Sequence, residues 1–156
     1  MVKINLPKLV ASIVLCLGVG AIGSIFTAPA IGTWYSTLHK PSFSPPNFLF
    51  APVWTALYIL MGVSLYLLWT SKKKGKEKAI RLFLIQLALN FFWSLIFFGM
   101  HSPKVAFIEI IFLWVYIFLT IRASLTVSKI AAYLLYPYLF WVSFATLLNL
   151  FIALLN

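Results

Sequence analysis

Charge is what this sequence has least of, and acidic charge above all. Only 9% of its 156 residues are charged, and two of them are acids, Glu77 and Glu109. A soluble domain carries about 25% charged residues, so a soluble globule is excluded. The chain has no paired carboxylates, no Ser-His-Asp set, no glycine-rich phosphate loop and no His/Cys/Asp/Glu cluster spaced for a metal. Its one cysteine, Cys16, excludes an intrachain disulfide and any multi-cysteine metal site. Within an apolar run it reads as a small core or lipid-facing residue.

What the chain does have is hydrocarbon, with 63% hydrophobic residues and a mean hydropathy of +1.05. That composition describes an integral membrane protein. The formal charge of +10 is not a nucleic-acid footprint, because six of the twelve cations (Lys72, Lys73, Lys74, Lys76, Lys78 and Arg81) sit in one short block between apolar runs. Such a block sets topology and meets anionic headgroups, so membrane lipids are expected partners and nucleic acid is not.

Five apolar runs, about 9–27, 51–70, 82–100, 105–121 and 130–155, are long enough to cross a ~30 Å hydrocarbon core as helices. None alternates with period two, which excludes a barrel. Lys3 and Lys8 before the first run also suit a signal peptide, but the run is long and proline intrudes on the Thr27-Ala28-Pro29-Ala30 cleavage position, so a retained helix is expected. Gly20 and Ser24 in that helix have small-xxx-small spacing, suited to close approach of another helix or a second subunit. Pro137 predicts a kink in the last run. The expected fold is a single all-α domain, 1–156: a five-helix transmembrane bundle with a structured proline-rich loop between helices one and two.

Five spans put the N-terminus, the lysine block and the connection after Arg122 on one side with ten cations, against Lys40 and Lys104 on the other. The N-terminus is therefore expected in the cytoplasm, with the 28–50 loop and the C-terminus opposite.

Residues 34–54 hold Pro41, Pro45, Pro46 and Pro52, half of the eight prolines, among several aromatics. Fixed φ and missing donors predict a stiff loop that does not become helix until after Pro52. Helical spacing then gathers three stripes: Trp54, Tyr58, Met61 and Leu65; Gln86, Asn90, Trp93 and Phe97; and Tyr138, Trp141, Ala145 and Asn149 with Leu148 beside them. Taken alone, Gln86, Asn90 and Asn149 would bond neighbouring helices. Trp93 and Trp141 lie mid-span, where interfacial belts do not explain them. Aromatic walls with a few amides beneath a stiff loop predict a pocket for a flat, largely apolar molecule.

The chain closely resembles the translocator protein family, also called tryptophan-rich sensory proteins, TspO/MBR or peripheral-type benzodiazepine receptors. The resemblance is carried by Trp34-Tyr35, Lys40 to Pro46, Phe50 to Trp54, Met61-Gly62, Gln86 to Asn90 with Trp93, Phe97 to Gly99, Pro137 to Leu139 with Trp141, and Phe144 to Asn149. It implies a five-helix bundle, often a homodimer, binding protoporphyrin IX-like porphyrins and benzodiazepine-type ligands as ligands rather than required cofactors, with a role in tetrapyrrole-linked stress responses. The matching ligand residues are Trp54, Asn90, Trp93, Trp141, Ala145 and Leu148, with Trp34 and Tyr35 touching ligand from the lid, which also contains Lys40, Pro41, Phe43, Pro45 and Pro46; Tyr58 joins the ligand set from the helix-two stripe. Light- and oxygen-dependent porphyrin breakdown, with Trp54 and Trp141 as its candidates, and small-molecule transport are the alternatives. The cholesterol-recognition pattern of animal members, a Tyr followed by Lys or Arg, is absent from the end of the chain, which runs from Leu148 to Asn156 without a cation.

Glu109 is the one acid inside a span, hence a functional candidate. The plainer expectation is a structural acid held by Lys40, His39 or Lys104. His39 and His101 border loops, where solvation is the ordinary role and axial ligation of a haem iron the lesser one.

Overall fold

The computed structural model describes residues 4–156, so Lys3, one of the ten cations above, lies outside the described part. Helix α1 is Leu6–Gly32, α2 Trp34–Thr37, α3 Phe50–Thr70, α4 Lys76–Ser94, α5 Pro103–Val127, α6 Lys129–Tyr133 and α7 Tyr136–Leu155. Short extensions, a 3₁₀ turn at Asn47–Leu49 and a π turn at Leu95–Gly99, complete the second and third crossings. Five segments are long and apolar enough to span a membrane, and among the described residues there is no strand.

Helix ends depart from hydropathy where polar side chains cap or solvate them. The first helix starts at Leu6, where the Asn5 side chain accepts from the Lys8 backbone N–H, and it runs through Pro29 to Gly32. The third crossing begins at Lys76 inside the lysine block, following Gly75 in the left-handed conformation (φ 92°). Cations can be helical where their side chains reach water. The fourth runs past Arg122 to Val127.

Two expectations about proline are corrected. Helix α3 starts at Phe50, before Pro52, because a first-turn N–H has no intrahelical acceptor to lose. Residues Trp34–Thr37 form a helical turn, so the non-helical stretch shrinks to 38–46, where Ser44 N–H donates to Pro41 O at 3.1 Å. In the last crossing the chain breaks at Leu134-Leu135, and Pro137 occupies the first turn of α7.

Helix α1 lies along α3 and α4, α4 along α5, and α5 along α7, while α6 packs on α3. Glycine permits the closest approach. A Cβ on Gly62 would stand 2.6 Å from Ile13 Cα, so α1 and α3 touch backbone to backbone there. Gly20 faces the Tyr58 ring and Gly23 faces Ser94. Gly20 and Gly23 therefore meet helices of their own chain, while Gly18 has nothing within 4 Å and Ser24 is exposed.

The aromatic cavity and its amide braces

Helices α3, α4 and α7 meet around side chains rather than backbone. Trp54 from α3, Trp93 from α4 and Trp141, Ala145 and Leu148 from α7 line one cavity, with Phe97, Phe98 and Asn149. Tyr35 and Phe50 also line it. The π turn allows Phe97 and Phe98, successive residues, both to be buried beside Trp93, at ring separations of 5.2 and 5.9 Å. π turns interrupt helices mostly where a site needs it. The cavity holds about 20 Å³, room for about one water.

Two amides fix these walls. Asn149, 1% exposed, accepts from the Trp93 indole N–H at 3.0 Å and donates to Pro103 O at 2.8 Å, tying α4, α7 and the start of α5. Asn90, also 1% exposed, bonds the Tyr58 hydroxyl and donates to Tyr138 Oη at 3.0 Å, tying α4, α3 and α7. In hydrocarbon such groups find partners or carry a large desolvation cost. Gln86 does not follow: it is buried, and its amide atoms have no hydrogen-bond partner among the described residues. The expected bond from Gln86 to a neighbouring helix is not formed.

On the far side of Trp54 and Trp93 lies a groove of about 180 Å³. Phe50, Trp54, Trp93 and Phe98 line both spaces and form a shared aromatic wall. Tyr58 lines the groove rather than the cavity, with Gly20, Gly23 and Thr27 of α1 completing it.

The TspO/MBR family profile matches residues 12–155. Tryptophan-rich protein TspO of Chlorobaculum tepidum is 51% identical over 144 residues, covering 91% of each chain. The protein of the same name from Archaeoglobus fulgidus is 46% identical over 152 residues, covering 97% of this chain and 99% of its own. The human translocator protein is 40% identical over 131 residues, covering 82% of this chain and 78% of its own. This chain belongs to the TspO/MBR family.

Within this TspO/MBR chain, the residues expected to act together fall in four places. Tyr35, Trp54, Trp93, Trp141, Ala145 and Leu148 line the cavity. Asn90 lies behind the wall as a brace, and Tyr58 faces the groove. Trp34 sits elsewhere: it stacks on His101 at 4.4 Å and lines a separate recess of about 350 Å³ with Lys104 and Asn156. His101 takes φ 51°, the left-handed region, at the turn into α5. Neither His39 nor His101 lines the tryptophan cavity, whose lining offers no iron ligand of the histidine kind. Phe50, Phe98 and Ile152 were not among the expected site residues, and Phe97 and Asn149 were expected only as stripe members. Phe50 opens its helix two residues before Pro52 and Phe98 lies within the π turn, so a regular helical wheel misplaces them.

Of the expected lid, Tyr35 lines the cavity, together with Phe50, whereas Lys40, Pro41, Phe43, Pro45 and Pro46 do not. Phe43 packs against Phe144 and Phe151 of α7, at 6.3 and 5.4 Å. Lys40 Nζ donates to Tyr35 O at 2.9 Å and stands 4.6 Å over the Tyr35 ring. The loop thus holds Tyr35 rather than the ligand space. Tyr35 itself is 2% exposed, and burial pushes its phenol pKa above the ordinary value, so it remains neutral.

The expected partners of Glu109 are not its partners. Lys40 is on Tyr35, the His39 backbone is paired with Asn156, Lys104 lines the Trp34 recess, and both Glu109 carboxyl oxygens are buried with no hydrogen-bond partner among the described residues.

Proposed function

We propose that this TspO/MBR protein is a membrane receptor that binds porphyrin-class and similarly flat apolar molecules against the Trp54, Trp93 and Trp141 surface. The observation that carries this reading is the aromatic lining of the cavity. Three tryptophans and the Phe97-Phe98 pair converge from three helices, braced by Asn149 and Asn90, onto one site. Flat π-systems gain from stacking and edge contact on such surfaces beyond the area they bury. Two relatives carry names of the coarser role, a translocator protein and, from Cereibacter sphaeroides, a tryptophan-rich sensory protein; neither name specifies a ligand.

A cavity of about 20 Å³ does not admit a porphyrin as it stands. Ligand entry therefore requires the Phe50, Trp54, Trp93 and Phe98 wall to turn, joining the cavity to the 180 Å³ groove behind it. Binding of this kind selects an open state from an ensemble, and the closed state lowers the apparent affinity. Saturable quenching of tryptophan fluorescence by protoporphyrin IX tests the reading, and its absence refutes it.

Light-driven breakdown of bound porphyrin is the second reading. It is favoured by the placement of both Trp54 and Trp141 on the cavity, where an excited ligand and oxygen would meet oxidisable indoles. The cation distribution supports a cytoplasmic N-terminus and lysine block, with the 38–46 loop opposite.

A further inference from the structure

At the end of the bundle carrying the N-terminus, a second groove of about 330 Å³ opens between α1, α3 and α4. Its walls are Leu15, Leu65, Trp69, Ile80 and Leu84, with Ala11 at its edge. Its size falls in the ~300–1,000 Å³ range of ligand clefts. Ser12 also lines it, and this hydroxyl is the anomaly. Ser12 is 1% exposed and its Oγ has no hydrogen-bond partner among the described residues. Helix hydroxyls ordinarily donate back one turn, as Thr27 does to Gly23 O and Thr55 to Ala51 O. Ser12 does not; its hydroxyl is closed off from open space in this conformation, and a turn of the side chain is what would bring the free donor into the groove.

The mouth is cationic. Lys8 Nζ stands 5.0 Å over the Trp69 ring, held by the cation–π attraction. An adjoining groove shares Ile80 and Leu84 and is lined by Arg81, with Glu77 as the opposing charge. Lys72, Lys73, Lys74, Lys76 and Lys78 fall in the same connector and helix start. An apolar slot, a buried free hydroxyl and a cationic rim with one acid match three parts of one molecule: an acyl chain, an ester carbonyl and a phosphate.

We propose that this groove is a binding site for one anionic glycerophospholipid. The acyl chain lies along Leu15, Leu65 and Leu84, Ser12 Oγ turns towards the groove and donates to the ester carbonyl, and Lys8 and Arg81 bracket the phosphate. The lysine block alone would attract acidic lipid diffusely; the groove and Ser12 make it a discrete seat.

The test is native mass spectrometry of the full chain, titrated with phosphatidylglycerol or phosphatidylcholine of matched chains, with unfolding temperature followed in parallel. One phosphatidylglycerol is retained preferentially and raises the unfolding temperature. Each cation near the surface contributes about a fivefold preference, so K8Q and R81Q each reduce it by about that factor. Ala11→Phe obstructs the slot and lowers retention of both lipids; unfolding in lipid-free detergent stays at the wild-type value for R81Q and Ala11→Phe and falls only slightly for K8Q, which loses its contact with Trp69. Equal retention of the two lipids overturns the proposal. So does a preference that survives K8Q/R81Q but disappears on neutralising Lys72, Lys73 and Lys74, which would locate the effect in the connector. Cross-linking from Leu15 to a second copy of the chain, with no lipid retained, overturns it as well.

Discussion

The Trp93 indole donates to Asn149 Oδ1 at 3.0 Å, and Asn149 Nδ2 donates in turn to Pro103 O at 2.8 Å. One amide thereby orients a cavity tryptophan and fastens two further helices. Asn149→Leu leaves the half-buried indole N–H of Trp93 without its partner, at a cost of ~1–3 kcal/mol, and removes the tie from α7 to Pro103 O. The expected result is a lower unfolding temperature together with weaker porphyrin quenching, since Trp93 loses its fixed orientation. Stability changing without affinity would separate the brace from the site.

Glycines on the small-residue face divide by what stands opposite them. Gly62→Ala drives a Cβ to 2.6 Å from Ile13 Cα and 2.9 Å from its Cγ1. Overpacking of that kind costs ~1–3 kcal/mol. Gly18→Ala meets nothing within 4 Å and, mid-helix, is expected to stabilise by ~0.5–1 kcal/mol. Unfolding of the pair in detergent gives opposite signs if the α1–α3 contact is as close as described.

The loop is clipped to the end of the chain. His39 N–H donates to Asn156 Oδ1 at 3.0 Å, and Asn156 Nδ2 donates to His39 O at 2.9 Å. Asn156→Ala removes both bonds at an exposed position, so amide exchange across 38–46 should rise while the bundle unfolds at nearly its former temperature. Pro45→Ala with Pro46→Ala should loosen the same segment through chain entropy and weaken ligand binding. Unchanged affinity in both variants would reduce the loop to a connector.

Glu109 offers a test by neutralisation. Its carboxyl oxygens have no hydrogen-bond partner among the described residues, so Glu109→Gln removes an ionisable group and breaks no hydrogen bond. Stability equal to wild type or higher is expected. A loss of ~3–5 kcal/mol is the signature of a broken buried ion pair and would contradict the geometry.

Helix number and the tryptophan stripes were legible because length, apolarity and the 3.6-residue period are local properties. Trp54, Trp93, Trp141, Ala145 and Leu148 do converge on one cavity. What was not legible depends on features without a local period. The π turn changes the register at Phe97-Phe98. Phe50 enters the helix before Pro52, where proline was expected to forbid it. Polar partners were the least legible of all. Asn90 and Asn149 found theirs, Gln86 and Glu109 did not, and Lys40 turned to a backbone carbonyl. Which donor meets which acceptor depends on helix rotations that the order of residues does not display.

The central claim is that ligand occupies the space between the three tryptophans. Ala145 lines that space, whereas Leu147, two residues on, is 47% exposed on the lipid-facing side of the same helix. The direct measurement is the protoporphyrin IX affinity of Ala145→Phe beside Leu147→Phe, by tryptophan quenching at matched unfolding temperature. The account predicts that Ala145→Phe weakens binding at least ~10-fold, the equivalent of ~1.4 kcal/mol, while Leu147→Phe binds like wild type. Equal affinities in the two variants would place the porphyrin elsewhere and contradict the account.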